Sequence, residues 1–137
     1  MSAYHKRRTT YTSRQTLRAA LQATGIPFEE YQPGREEQLV GYQGKVRPET
    51  ASFIIRRAHI GYSSNDLGFK WDRAAKCFSA IVSEFDEHCA QTTRIRDEIR
   101  REYAVADTIV QARKAGYKVE RKDLANGTVQ MVVTGRI

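Results

Sequence analysis

Apolar residues along this chain change their spacing three times, and each change predicts a different element. Between Arg14 and Thr24, Leu17, Ala20 and Leu21 recur at steps of three and four. That spacing gathers them on one face of a helix. Ser13 stands where a hydroxyl can accept a first-turn N–H, Gly25 where a helix exits left-handed, and Pro27 where it cannot resume. From residue 28 to 85 the pattern shortens to β-branched and aromatic runs at 28–31, 38–42, 52–58, 67–71 and 77–83. Turn signals at 32–34, 45–50 and 61–65 separate them, which predicts an antiparallel meander. A second helix is predicted over 93–115, where Ile95, Ile99, Tyr103, Ala106 and Val110 make one apolar stripe. Asp97 lies one turn before Arg101, a favourable pair, while Arg113 and Lys114 suit the carbonyl end and Gly116 the cap.

The tail, 117–134, reads as a hairpin whose loop length can be derived. A two-residue Asn126-Gly127 turn would pair Val119 with Thr134 and divide the apolar residues between the two faces. A three-residue loop, Ala125-Asn126-Gly127, pairs Val119 with Val133. It gathers Tyr117, Val119, Val129, Met131 and Val133 on one face, with Gly127 in the left-handed region. Including a first short strand ahead of the first helix, the expected fold is α+β. It is a mostly antiparallel, twisted sheet with two helices packed on one face and a C-terminal β-hairpin. The chain is read as a single domain, 1–137, whose second sheet face is left to solvent or to binding.

Composition narrows the class. A hydrophobic fraction of 40% in 137 residues is enough for one core. Two cysteines exclude a disulfide-rich scaffold. There is no apolar run of about 18 residues to span a membrane, and the basic start of the chain has no apolar stretch behind it. A soluble, cytoplasmic protein is expected. The net charge of +7 favours acidic partners without demanding them.

Candidate chemistry is sparse. Cys77, Cys89, His59 and His88 show no paired metal-ligand spacing, and Cys77 reads as a small buried thiol, His88 as an exposed side chain. No serine occupies a nucleophile elbow. The carboxylate pairs Glu84/Asp86 and Glu36/Glu37 read as a strand end and a hydrophilic loop. Gly41-Tyr42-Gln43-Gly44 reads as a glycine-bounded turn, and neither a P-loop nor a dinucleotide fingerprint occurs. No catalytic, cofactor-binding or metal residue is assigned, no cofactor is expected, and the chain is read as a non-enzyme. Two basic clusters remain, Tyr4-His5-Lys6-Arg7-Arg8 and Lys45, Arg47, Arg56 and Arg57. Were the first strand to lie beside strand 52–58, Lys6, Arg8, Arg47, Arg56 and Arg57 would form a polyanion-binding surface.

The succession LRAALQATG (17–25), GYQGK (41–45), DLGFKW (66–71), AIVSEFD (80–86), REYAVADTIVQARKAGYKVE (101–120) and NGTVQMVV (126–133) resembles the domain of unknown function family 1257. Its plastid-encoded members are called hypothetical chloroplast reading frame 35. The resemblance implies occurrence in cyanobacteria, plastids and other bacteria, and it carries no catalytic residues. Gly41, Gly44, Gly68, Tyr103 and Gly116 fall on family-like positions that a fold explains, whereas HKRRTTY at the N-terminus is more basic than the family pattern. The expected function is a non-catalytic accessory or adaptor role, binding a protein partner or assisting assembly of a complex. Binding of nucleic acid through the basic segments is the alternative. No membrane association is expected, and the compartment would be the cytoplasm, or the plastid stroma for a plastid-encoded member.

Overall fold

The computed structural model describes residues 2–136. Among them the order is β1 (Tyr4–Arg8), α1 (Arg14–Thr24), β2 (Glu29–Glu30), β3 (Glu37–Val40), β4 (Val46–Ala51) and β5 (Phe53–Ile55). β6 (Leu67–Asp72), β7 (Cys77–Ser83), the single turn α2 (Glu84–Glu87), α3 (Ala90–Lys114), β8 (Tyr117–Asp123) and β9 (Val129–Arg136) follow. The central sheet is antiparallel in the order β1-β7-β6-β5-β2, with β3-β4 and β8-β9 as separate two-stranded ribbons. The α+β class is as the residue pattern predicts.

Both helices pack on one sheet face. Leu17, Ala20 and Leu21 of α1 and Ile95, Ile99 and Tyr103 of α3 share a core with Phe53, Ile55, Leu67, Phe69, Phe78, Ala80 and Val82. The ends of α1 follow from local chemistry. Ser13 Oγ accepts from Thr16 N, and Gly25 exits at φ 74°. Tyr103 brings a hydroxyl into this core and satisfies it usefully, accepting from Thr12 N at 3.0 Å and Ser13 N at 3.1 Å. The long helix thereby ties down the unpaired donors at the start of the short one. Along α3 the stripe is incomplete. Where the cover is a hairpin instead of a sheet, Val105 and Glu102 are buried but Ala106 and Val110 only half-buried. Asp97 pairs with Arg100 at 3.0 Å, not with Arg101.

Ion pairs anchor α1 to β2. Arg18 grips Glu30 through Nε at 2.6 Å and Nη2 at 2.7 Å, and Arg14 Nη1 donates to the same carboxylate at 3.0 Å. The Arg18 hydrogen bond holds this carboxyl below the ordinary range against the upward push of burial, and Arg14 adds to it. Glu29 is lowered in the same way by Arg56. A depressed carboxyl contributes stability above its unfolded pKa of about 4.3 and loses it as pH falls through the lower folded value. The melting temperature should therefore hold from neutral pH to about pH 5 and drop below about pH 4. Glu30→Gln, which cannot titrate, should start lower at neutral pH and show a shallower acid decline.

Two expectations about the sheet are corrected. Residues 45–50, expected as a loop because of Pro48 and its charges, are mostly strand β4. The β3–β4 register shifts between Gln38 and Val40, and Pro48 falls within that irregularity, where no ladder N–H is needed. The second sheet face is not left open either. The β3–β4 ribbon covers part of it, burying Leu39 and Ala51 against Ile54 and Ile81. β4 runs on into β5 through Ser52, whose N–H donates to Phe69 O at 2.9 Å. One bent strand thus serves both ribbon and sheet.

From Lys118 to the turn the C-terminal hairpin has the derived register, and a shift between Tyr117 and Lys118 sets Tyr117 opposite Arg136. Val119 faces Val133, and Gly127 sits at φ 84°. Gly127 N donates to Leu124 O at 3.0 Å, and Leu124 N to Thr128 O at 2.9 Å. Gly127→Ala should cost about 1 kcal/mol, read from the urea midpoint, because a side chain must enter the left-handed region. The apolar face is less uniform than its hydrophobic pattern suggests. Val119 is buried while Val133 is 55% exposed. Arg121 shares the face and chelates the buried Glu102 of α3.

Candidate functional site

The loop before β6 carries a Ser64-Asn65-Asp66 segment that is buried although every side chain in it is polar. Its groups are satisfied by residues from most of the chain. Asp66 Oδ2 accepts from Val40 N and Arg56 Nη1, each at 2.7 Å, and Oδ1 from Arg57 N at 2.7 Å. Tyr4 Oη donates to Asp66 O at 2.7 Å. Burial, and next the Asp66 charge, push the Tyr4 phenol well above its usual value, so it stays a donor. Asn65 Oδ1 accepts from Tyr42 N at 2.8 Å. Asp86, in the first turn after β7, then holds Asn65 from behind. Its Oδ2 accepts from Ser83 Oγ at 2.6 Å, Asn65 N at 2.9 Å and Asn65 Nδ2 at 3.2 Å, and its Oδ1 from Thr92 Oγ1 at 3.1 Å. A fully donated pair of buried carboxylates of this kind fixes geometry.

That node builds a surface. Arg57 donates to Ser64 O and Tyr62 O, each at 2.8 Å, and its guanidinium lies 5.7 Å from the Tyr42 ring centroid. Tyr62 is 86% exposed and Val46 58% exposed. A shallow groove of about 400 Å³ runs along Val46 and Arg57, lined also by Val40, Ala58, Arg56 and the acids Glu37 and Asp66. Arg56 is neutralised, its Nε and Nη2 each 2.8 Å from Glu29 and its Nη1 on Asp66. The Arg57 side chain hydrogen-bonds carbonyls, and among the described residues it has no ion pair with a carboxylate.

The five cations singled out by sequence do not form one surface. β1 pairs with β7, and β7 and β6 stand between it and β5. The expected adjacency of the first strand and strand 52–58 is therefore corrected. The reason is that β1 finds its long partner in β7, while β5 is flanked by β6 and β2. Lys6 pairs with Asp72 at 2.8 Å. Arg8 is exposed on β1 opposite Ser79. Arg47 turns inward, donating to Ser2 O at 2.8 Å and stacking 5.1 Å over Tyr4. Arg47, Arg56 and Arg57 do meet, around Asp66 and through Tyr4, but as struts of the node.

The sequence marks neither Asn65 nor Asp66, and it presents Asp86 only as half of a carboxylate pair at a strand end, where the structure buries it in the turn α2. One signal was available: Ser83-x-x-Asp86 is a capping pattern, and Ser83 Oγ does accept from Asp86 N at 3.1 Å. For Asn65 and Asp66 no local pattern marks burial. Elsewhere Cys77 is buried, His88 exposed, and Gly41–Gly44 a turn. Among the described residues no group of three His, Cys, Asp or Glu side chains is placed to hold a metal. No helix among them is long and apolar enough to cross a membrane.

No curated protein and no solved structure matches the chain. The family model described as protein of unknown function (DUF1257) matches residues 20–132, from the middle of α1 into β9. The chain belongs to that family.

Proposed function

We propose that this protein is a non-catalytic accessory protein whose Tyr42–Arg57–Tyr62 surface docks an acidic segment of a partner protein. The single observation that carries this reading is the placement of Tyr62. A tyrosine 86% exposed is held in place by an arginine hydrogen-bonded to its carbonyl, and that arginine is anchored to a buried polar node. Tyrosine and arginine dominate the energetics of protein interfaces, and rigid placement lowers the ordering cost of binding. Exposed Val46 adds an apolar contact. Charge sets the partner's sign, since the Arg57 side chain has no ion-pair partner among the described residues and Lys45 beside Val46 is exposed. The work would be done in the cytoplasm or, in a plastid-bearing host, the stroma.

The test is crosslinking of the full chain in its native host, with wild type compared against Tyr62→Ala/Val46→Glu. Neither side chain takes part in the node, so the variant should keep the wild-type melting temperature. The reading predicts a crosslinked protein lost in the variant, with the crosslink on an acidic segment. An identical crosslink pattern for both proteins would overturn it. Oligonucleotides titrated at two salt concentrations address the alternative. Binding that falls steeply with salt and is lost in an Arg8→Glu variant would replace the adaptor reading with a polyanion-binding one.

A further inference from the structure

A second concavity shares none of the residues of the Tyr42–Arg57–Tyr62 surface. Beside the start of α1 and the Pro33-Gly34 turn lies a cleft of about 750 Å³, well inside the size range of small-molecule sites, roughly 300–1,000 Å³. Its walls combine Trp71 and Phe78 with Arg14, Lys70, Arg73 and Glu36. The aromatic wall is stiff. The Trp71 ring stands edge-on to Phe78 with centroids 5.1 Å apart, yet it remains 40% exposed. Arg14 is immobilised as well, bonded to Glu30 and Tyr31 O and lying 5.2 Å over Phe53.

The polar groups are unspent. Arg73 is exposed and has no ion-pair partner among the described residues. Lys70 Nζ donates once, to Thr50 Oγ1 at 2.8 Å, and keeps two N–H groups. Glu36 adds a carboxylate to the same wall, although its Oε2 is shut off from solvent and accepts no hydrogen bond. The other such oxygen, Glu49 Oε1, at least has Arg47 Nε at 3.6 Å. Buried acceptors without donors are rare in folded proteins, and each asks for an explanation.

We infer that the cleft binds a small planar heteroaromatic carrying both an amino donor and an anionic group, of the size and kind of an aminated nucleobase monophosphate. The ring would rest against Trp71, the anion would meet Arg73 and Lys70, and the amine would meet the Glu36 carboxylate on the cleft wall. Ring stacking tolerates many bases, so discrimination falls to Glu36. It accepts from an amine and opposes a carbonyl at the same position.

The chain's only tryptophan is Trp71, so its fluorescence reports the cleft directly. Adenosine monophosphate and cytidine monophosphate are the probes, with adenosine, inorganic phosphate and inosine monophosphate for comparison. At least one aminated monophosphate should give a saturable change, and adenosine and phosphate should each bind about tenfold more weakly or worse. Inosine monophosphate should trail adenosine monophosphate by a similar factor, and Glu36→Gln, whose amide can donate, should close that gap. Arg73→Glu, on an exposed turn, should weaken the monophosphate about tenfold at unchanged melting temperature. No saturable response to either aminated monophosphate would overturn the inference. So would equal affinity for adenosine and inosine monophosphates, or an affinity unmoved by Arg73→Glu. None of these outcomes bears on the crosslinking result, which reads a different surface.

Discussion

Asp86→Ala is expected to destabilise the protein by about 3–5 kcal/mol, seen as a lower urea midpoint with an unchanged slope. The side chain is 2% exposed and collects four hydrogen bonds from three residues. Alanine would leave the Asn65 amide N–H, the Asn65 side-chain amide and the Ser83 and Thr92 hydroxyls without this acceptor. Each buried donor left unpaired costs about 1–3 kcal/mol, and relaxation recovers only part of the sum. Thr92→Val removes one donor together with the need for it, so it should cost far less, whereas Ser83→Ala also strips the Oγ that accepts from Asn65 Nδ2 at 2.9 Å and Asp86 N at 3.1 Å. Hydrogen exchange gives a second readout. The Asn65 amide should exchange slowly in the wild type and rapidly in Asp86→Ala, while amides at the centre of α3 should keep their order of protection. Unchanged exchange at Asn65 would mean that the node is held by something other than Asp86.

Gly68→Ala should be nearly as damaging, for a steric reason. A Cβ at Gly68 would sit 2.6 Å from Ala51 Cβ and 3.1 Å from Leu39 Cδ2. Ala51 has no rotamer by which to retreat, so the whole β3–β4 ribbon must lift from the sheet. Overpacking of this kind costs about 1–3 kcal/mol, and Gly68→Val should exceed it. The diagnostic is a double-mutant cycle. Ala51→Gly alone should destabilise, through lost packing and a more flexible strand, but Ala51→Gly/Gly68→Ala should be more stable than the sum of the single effects by about 1 kcal/mol or more. Strict additivity would show that the two positions do not touch. Because the ribbon ends in Val40 and the Gly41–Lys45 turn, lifting it should also loosen Tyr42 and the surface proposed to dock a partner.

Local chemistry along the chain was sufficient wherever an element's own neighbours decide its form. The α1 helix with its Ser13 and Gly25 ends, the α3 stripe through Ile99 and Tyr103, and the Gly127 hairpin register are all set by contacts a few residues apart. Tertiary structure alone decided three other things. Strand β1 joined β7 because strand order depends on which edges remain free once the long strands have paired, and no local spacing encodes that. Residues 46–51 became a strand despite Pro48 because a two-stranded ribbon tolerates a residue without a ladder N–H and gains burial for Ala51 against Gly68. The candidate surface was invisible for the most basic reason. Asn65, Asp66 and Asp86 are hydrophilic residues, read by default as solvated, and only donors brought from β3, β7 and α3 make their burial favourable. In the same way, the cations that looked like one patch were distributed by the sheet among separate carboxylates and carbonyls, since charge clustering in sequence does not survive strands that carry neighbours to different edges.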